Sequence, residues 1–508
     1  MGSSSALQTY FGDVSLVRLV LQRGLAAIYC FAFLNARNQF KPLLGEHGLL
    51  PVGDYLRRVS FRKAPSLFHL GYSDRRLTLV VSFGLGLSIL ALTGLSEHGS
   101  VWLSLAVWLA LYALYLSIVN VGQTFYAFGW ESMLLEAGFF GAFLGPTKLQ
   151  PSLVPLLALR WLLFRVELGA GLIKLRHDRC WRDLTCLYFH YETQPLPNPL
   201  SRTFHRFPRF VQRSSVLVSH FVQLVCPFGL LAPQPVASLA GIAIVVHQLL
   251  LIISGNYAWL NWLTVVLGLS AFSDGTLAAL LPLPAVTVSV RPFAFELILD
   301  ALAFSTLLFS IKPTLNLLSK AQAMNATYNS LHLLGSYGAF GSVTRERHEV
   351  IVEGSRDAEL RDTSDFREYE FKGKPGAPRR HPRQWAPYHL RLDWQMWFLP
   401  LRIRTKRAGF VPLHHEAWVL RLVEKLLEGD RATLSLFHEN PFPDAPPRYV
   451  RASLYRYEFA SREERRRSGL VWKRTRIGEY IPPLSLEWLR QPTDELQAGR
   501  SRTPTRRP

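Results

Sequence analysis

The sequence predicts a polytopic α-helical membrane domain of about eight or nine apolar segments, followed by a soluble, mainly β, sandwich-like C-terminal domain. Three observations carry this expectation. Hydrophobic residues make up 49% of the 508-residue chain and its mean hydropathy is +0.12, above the range of an ordinary soluble enzyme. Long apolar runs fill the first three-fifths of the chain, and from about Lys312 they give way to shorter segments with period-two alternation.

The runs are Val14 to Leu34, Leu77 to Leu95, Val101 to Val121, Leu134 to Leu144, Pro155 to Leu175, Val216 to Leu231, Val236 to Ser254, Leu260 to Leu281 and Phe293 to Ile311. Several approach the ~20 residues that a helix needs to cross hydrocarbon. The first is expected to stay as an anchor, because Arg18 and Arg23 interrupt it and no small-residue cleavage site follows. Residues 1–315 are therefore read as the membrane domain, 316–490 as the soluble domain and 491–508, ending "RSRTPTRRP", as a disordered basic tail.

In the soluble part, "HEVIVEG" and "REYEFKG" alternate with period two and are separated by the turn signal "EGSRD". "YVRASLYRYEF" and "LVWKRTRIGEY" are further strands, and the aromatics of "DWQMWF" are expected largely in a strand core. "HEAWVLRLVEKLLEGD" has helical spacing, with Leu420, Val423 and Leu427 on one face and Gly429 as a stop.

Net charge is +20, and residues 312–508 hold 35 Lys+Arg against 23 Asp+Glu. The arginines are interleaved with acids and no helix-turn-helix or zinc-finger spacing occurs, so the surface is assigned to anionic lipid headgroups and no nucleic acid is expected. The basic loops 35–76 and 176–214 fall on one side of the membrane, which the positive-inside rule makes cytoplasmic.

Charge inside the apolar runs marks the candidate site, because it is costly there and calls for a partner or a task. Arg160, Glu167 and Lys174 are seven apart and stack on one helix face, with Arg165 beside them. Gly169 and Gly171 lie between the last two and admit a close neighbour. Glu131 and Glu136 in "GWESMLLEAGFF" are natural counter-charges for Arg160, Arg165 or Lys174. The stripe reads either as a ladder of ion pairs or as a lysine at the mouth of a cavity, where burial makes it a base.

The loop after the stripe holds His177, Cys180, Trp181, Arg182, Asp183, Cys186 and His190 and is stiffened by Pro195, Pro197 and Pro199. Its spacing matches no zinc module, so no metal is expected, and a Cys180–Cys186 disulfide requires an oxidising space. No nucleotide-binding glycine loop, GxSxG elbow or kinase motif set occurs, and no cofactor is expected.

Several long stretches resemble the lipase maturation factor family: "GWESMLLEAGFFGAFLGP", "RVELGAGLIKLRHDRCWRDLTCLYFHYETQPLPNPLS", "YGAFGSVTRERHEVIVEGS", "RLDWQMWF", "ENPFPDAPPRYVRASLYRYEF" and "GEYIPPLSL". They span about Gly129 to Leu486. The resemblance implies a multi-pass protein, in the endoplasmic reticulum membrane of a eukaryote or the inner membrane of a bacterium. It also implies chaperone-like assistance to secreted lipases, such as lipoprotein lipase, as they fold and assemble. "GAGLIKL" followed by Trp181 is also similar to the intramembrane segment of vitamin K-dependent gamma-carboxylases, in which the lysine of a Gly-Leu-x-Lys-Leu motif is the catalytic base. That similarity carries over to Lys174 alone, and implies as an alternative a membrane-embedded enzyme; it also implies that the end bearing this lysine is lumenal, against the charge-based side, so both orientations stay open.

Overall fold

A computed structural model describes residues 10–280, 288–406, 409–412 and 416–491. The tail beyond residue 491 and the end of the 260–281 run lie outside the described residues. The helical part comprises α1 (Ser15–Leu44), α2 (Asp74–Thr93), α3 (Val101–Asn120), α4 (Gly129–Gly141), α5 (Leu153–Arg176), α6 (Leu187–Thr193), α7 (Arg209–Leu224), α8 (Val236–Ser254), α9 (Leu260–Gly268), α10 (Phe293–Phe309) and α11 (Ile311–Leu318). Local chemistry sets several of the starts: Ser73, Ser100 and Ser152 cap α2, α3 and α5 through their hydroxyls, and Gly94 at φ +85° ends α2.

Among the described residues, five helical stretches are long and apolar enough to cross a membrane: α1, α2, α3, α8 and the continuous pair α10–α11. The other apolar runs differ from the sequence expectation for definable reasons. The 216–231 run breaks at Val225 before the short helix Cys226–Gly229, and the 260–281 run breaks at the 3-10 turn Leu269–Ala271. The segment around 134–144 gives only the 13-residue α4, and α5 is long enough but carries the buried charges. Conversely, α1 runs past the expected end at Leu34 to Leu44, because Asn35 and Gln39 are buried and both donate to the His389 carbonyl, at 2.6 and 2.7 Å.

The helices run back and forth between two ends. At one end Asp274 accepts from Ser15 and Leu16 at the start of α1, Tyr10 donates to the Leu231 carbonyl, and Ser289 donates to that of Lys148. At the other, Asn120 donates to the Ser330 carbonyl, Arg176 to that of Leu317 and Asn256 to that of Arg383. The C-terminal part docks on this second end.

That part contains β1 (Arg347–Ser355), β2 (Arg367–Glu368), β3 (Glu370–Phe371), β4 (Ile403–Lys406), β5 (Gly409–Pro412), β6 (Phe437–Glu439), β7 (Tyr449–Phe459) and β8 (Trp472–Leu484), with helices α12 (Arg391–Leu401) and α13 (Ala417–Leu427) between them. An antiparallel sheet of order β2-β1-β7-β8 forms its centre, with Val350 opposite Leu454 and Val352 opposite Ala452. The remaining strands pair as the ribbons β3-β6 and β4-β5. The sandwich expectation is corrected here: helices rather than a second facing sheet cover this one among the described residues. Val350, Val352, Ala452 and Leu454 share one core with Leu392 and Met396 of α12 and Leu422 and Leu426 of α13.

"DWQMWF" is likewise helical and not a strand. Leu392, Met396 and Leu399 recur at helical spacing and are buried, while the Asp393 carboxylate accepts from the Gly373 and Lys374 amides. Strand β1 is buried nearly throughout despite its charges, because Glu349 pairs with Arg347 and Lys374, and Glu353 with Arg451.

Candidate functional site: a polar cavity under the C-terminal domain

The six charged residues do not form one cluster. Glu136 pairs with Arg165 on the neighbouring helix, both fully buried, and its second oxygen accepts from Tyr337 Oη at 2.9 Å and the Gly335 amide at 3.2 Å. Glu131 does not meet Arg160, Arg165 or Lys174. Its partners are Tyr115 and, at 2.8 Å, Arg391 from the C-terminal part. Arg391 also donates to Asn35 Oδ1 and the Phe125 carbonyl and lies 3.4 Å over the Tyr126 ring. This pair joins α1, α4 and α12 in the core.

Arg160 finds backbone rather than an acid: its Nε donates to the Ser270 carbonyl at 2.7 Å. Glu167 and Lys174 turn toward α7, α8 and α9 and line a cavity of ≈ 770 Å³. Glu167 Oε1 accepts from Gln248 at 2.6 Å, and Lys174 Nζ donates to Gln223 Oε1 at 2.6 Å while lying 4.9 Å over the Trp181 ring. Among the described residues Lys174 makes no ion pair with a carboxylate. The glycines serve as spacers: a Cβ on Gly169 would strike the Tyr337 carbonyl, and one on Gly171 would lie 2.7 Å from Leu224 Cδ2.

The loop closes the cavity from the docking end. Cys180 and Cys186 form a disulfide, and although Asp178 lies close to both sulfurs, the bond between them leaves no thiolate pair for a metal. Trp181 donates to the Phe340 carbonyl at 2.9 Å, and Asp178 pairs with Arg345 at 2.8 Å. Hydrogen bonds from the Arg345 guanidinium hold the Asp178 carboxyl down at about 2. Arg182, Asp183 and His177 are exposed, with Asp183 paired to Arg179 at 3.2 Å and His177 on the cavity rim.

His190 is buried, 2.9 Å from Tyr257 Oη. Because that hydroxyl donates its own proton to Gln194, His190 donates from Nε2. Burial, reinforced by Lys174, pushes the imidazole down to about 3. The unfolded chain takes up this proton near pH 6.5, so the stabilisation is complete above that value and is lost as pH falls toward the folded value. Acidification from pH 7.5 to 5 should therefore cost about 2 kcal/mol through this group, at about 1.4 kcal/mol per pH unit below 6.5. A His190→Gln variant should show a correspondingly shallower loss of thermal stability; an unchanged pH slope would remove His190 from the titrating set.

Sequence reasoning missed the polar partners Gln223, His247, Gln248, Asn261 and Tyr257, and the roof residues Trp394 and Trp397. Glutamines and a histidine inside apolar runs are the signal that was present. Their convergence with Glu167 required the packing of α5 against α7 and α8.

Residues 16–279 match the model of the lipase maturation factor transmembrane domain and 333–482 that of the lipase maturation factor C-terminal domain. The chain is 42% identical to lipase maturation factor 1 of Bos taurus, covering 94% of this chain and 91% of that protein. The corresponding protein of Homo sapiens is 41% identical over 96% of this chain and 91% of its own length. Lipase maturation factor 2 of Homo sapiens is 29% identical over 93% of this chain and 83% of its own. No solved structure matches. Two family models that together span both the helical and the sheet-bearing part, with near full-length similarity to curated members, make the chain an integral membrane protein that belongs to the lipase maturation factor family.

Proposed function

We propose that this protein assists the maturation of secreted lipases from the endoplasmic reticulum membrane, with its C-terminal domain facing the client in the lumen. The observation that carries this reading is the 42% identity, across nearly the whole of both chains, to a protein named for lipase maturation. The test is complementation: this chain, expressed in cells lacking lipase maturation factor 1, should raise the activity of secreted lipase per mass of lipase. No rise with a correctly inserted protein would defeat the proposal.

On this reading the helical unit extends to about residue 315 and the client-facing unit runs from 316 to 490. Nine crossings are favoured over the five made by the longest apolar helices. The alternation of α1 to α5, α7 to α9 and α10–α11 between the two ends supports this, and so does the docking of loop 176–214 and the C-terminal domain at one end. The Cys180–Cys186 disulfide supports an oxidising lumen at that end. It opposes the charge-based orientation, and the basic loop has another use for its arginines: Arg202 and Arg206 both donate to the Ala460 carbonyl. In intact microsomes the C-terminal domain should resist added protease, and cleavage there would reverse the orientation.

The alternative of an enzyme using Lys174 as base draws on the position of that amine, against a cavity and, among the described residues, without an ion pair to a carboxylate. Maturation by client contact makes a clear prediction. Lys174→Ala should cost about 1.5–3 kcal/mol of stability through the lost charged hydrogen bond, yet retain lipase-maturing activity. Full loss of activity in a variant of normal abundance and folding would favour the enzyme.

A further inference from the structure

Two arginines of the loop between α6 and α7 share one acceptor and have no acid. Arg202 Nη2 and Arg206 Nη2 donate to the same Ala460 carbonyl, at 2.9 and 2.6 Å, and Arg202 reaches the Ser461 carbonyl as well. From Ser461 the chain enters the short helix Arg462–Ser468, which brings Arg462 and Arg465 to the same place. Burial lowers the Arg202 and Arg206 guanidinium groups from the usual arginine range, and the like charge of Arg462 and Arg465 lowers them further. Among the described residues none of these four pairs with a carboxylate, and the acids nearby are committed. Glu192 accepts from the Phe459 amide and faces His205, and Glu458 pairs with Arg456. Glu463 pairs with Arg467, while Glu464 accepts from the Ser461 amide and meets Lys473 at 3.6 Å. Four cations gathered on one carbonyl repel each other unless an anion joins them. Phosphate oxygens match the forked donors of paired guanidinium groups.

The cluster stands where α7 begins. Arg209 and Arg213 on its first turns are exposed, Phe210 between them is 72% exposed, and Leu217, Val218 and Phe221 continue an exposed apolar strip along the same helix. On a membrane helix such a strip faces acyl chains, so the arginines that precede it lie at the depth of the headgroups. An acidic peptide would answer the arginines and leave the strip. A neutral lipid would answer the strip and leave the arginines.

We propose that Arg202, Arg206, Arg462 and Arg465 bind the phosphate of an anionic phospholipid whose acyl chain lies along Phe210, Leu217 and Phe221 of α7. The lipid then ties the loop before α7 to the sheet-bearing domain at the membrane surface. The site rests on α7 as one of the crossings proposed above, and neither on the client nor on which side is lumenal.

The test uses the full-length protein in nanodiscs, with phosphatidylglycerol and phosphatidylcholine carrying the same diazirine acyl chain as probes. Label on α7 peptides is expected to be about tenfold greater from phosphatidylglycerol. Arg462→Gln/Arg465→Gln, on an exposed helix, should remove most of that preference at an unchanged thermal unfolding temperature. Arg361→Gln/Arg367→Gln takes the same charge from the other end of the sheet, where β2 meets Gly354, and should leave the preference intact. If the first variant fails to fold, Arg206→Gln is read in its place. Equal labelling of α7 by the two lipids, a preference untouched in the folded cluster variant, or an equal loss in the distant variant would each overturn the proposal. Suppression of the label by glycerol phosphate or polyglutamate as strong as by unlabelled phosphatidylglycerol would give the site to a soluble anion and overturn it too. No α7 label from either lipid would overturn the crossing itself, and the site with it.

Discussion

Arg391→Met is expected to destabilise the whole protein by about 3–5 kcal/mol, because it strands the Glu131 carboxylate in a core that water does not reach. Both side chains are fully buried, and Arg391 is at the same time the partner of Asn35, the Phe125 carbonyl and the Tyr126 ring. The double variant Glu131→Gln/Arg391→Met should recover much of that loss, since no uncompensated charge is left. Thermal unfolding and monodisperse yield in detergent measure both. A single variant within about 1 kcal/mol of wild type would show that water or another group neutralises Glu131. The same contact makes a truncation informative in an unusual way: residues 1–318 alone should accumulate poorly, so loss of client binding on deleting the C-terminal domain would report unfolding before it reported a contact site.

The second large effect is expected at Glu136. Glu136→Ala leaves Arg165 buried and unpaired, at a cost of about 3–5 kcal/mol, and also removes the acceptor for Tyr337 and the Gly335 amide. The segment that crosses from α11 to β1 is held against α4 and α5 by these bonds. The variant should therefore be cleaved by protease between residues 325 and 340 at concentrations that leave wild type intact. Arg165→Met should behave alike, although Glu136 then keeps two neutral donors and the loss should be smaller. Equal resistance to protease in both variants would assign the anchoring of this segment to other contacts.

Much of the architecture was legible in the residues. The apolar runs predicted nearly all the long helices, period-two alternation predicted β1, the strands expected at "YVRASLYRYEF" and "LVWKRTRIGEY" are β7 and β8, and the Leu420/Val423/Leu427 spacing predicted α13. "DWQMWF" is helical against the strand expectation: aromatic residues favour strands in general, whereas here Leu392, Met396 and Leu399 pack on the sheet at helical intervals. The site was legible as an anomaly of charge. Of its partners, the Glu136–Arg165 pair was among those the sequence offers, whereas Arg391 for Glu131 was not, because an ion pair carries no local spacing rule when the two residues come from opposite ends of the chain.

The sequence by itself determined that Glu131, Glu136, Arg160, Arg165, Glu167 and Lys174 needed partners, since a charge placed in an apolar helix is costly wherever that helix goes. It also determined where the backbone must pass closely, at Gly169 and Gly171. Only the tertiary structure decided who answers each charge: Arg391 for Glu131, Tyr337 together with Arg165 for Glu136, a carbonyl for Arg160, and glutamines rather than an ion pair for Glu167 and Lys174. Burial cost is a property of one residue, read from its neighbours in the chain. Satisfaction is a property of a place, and places are made by packing.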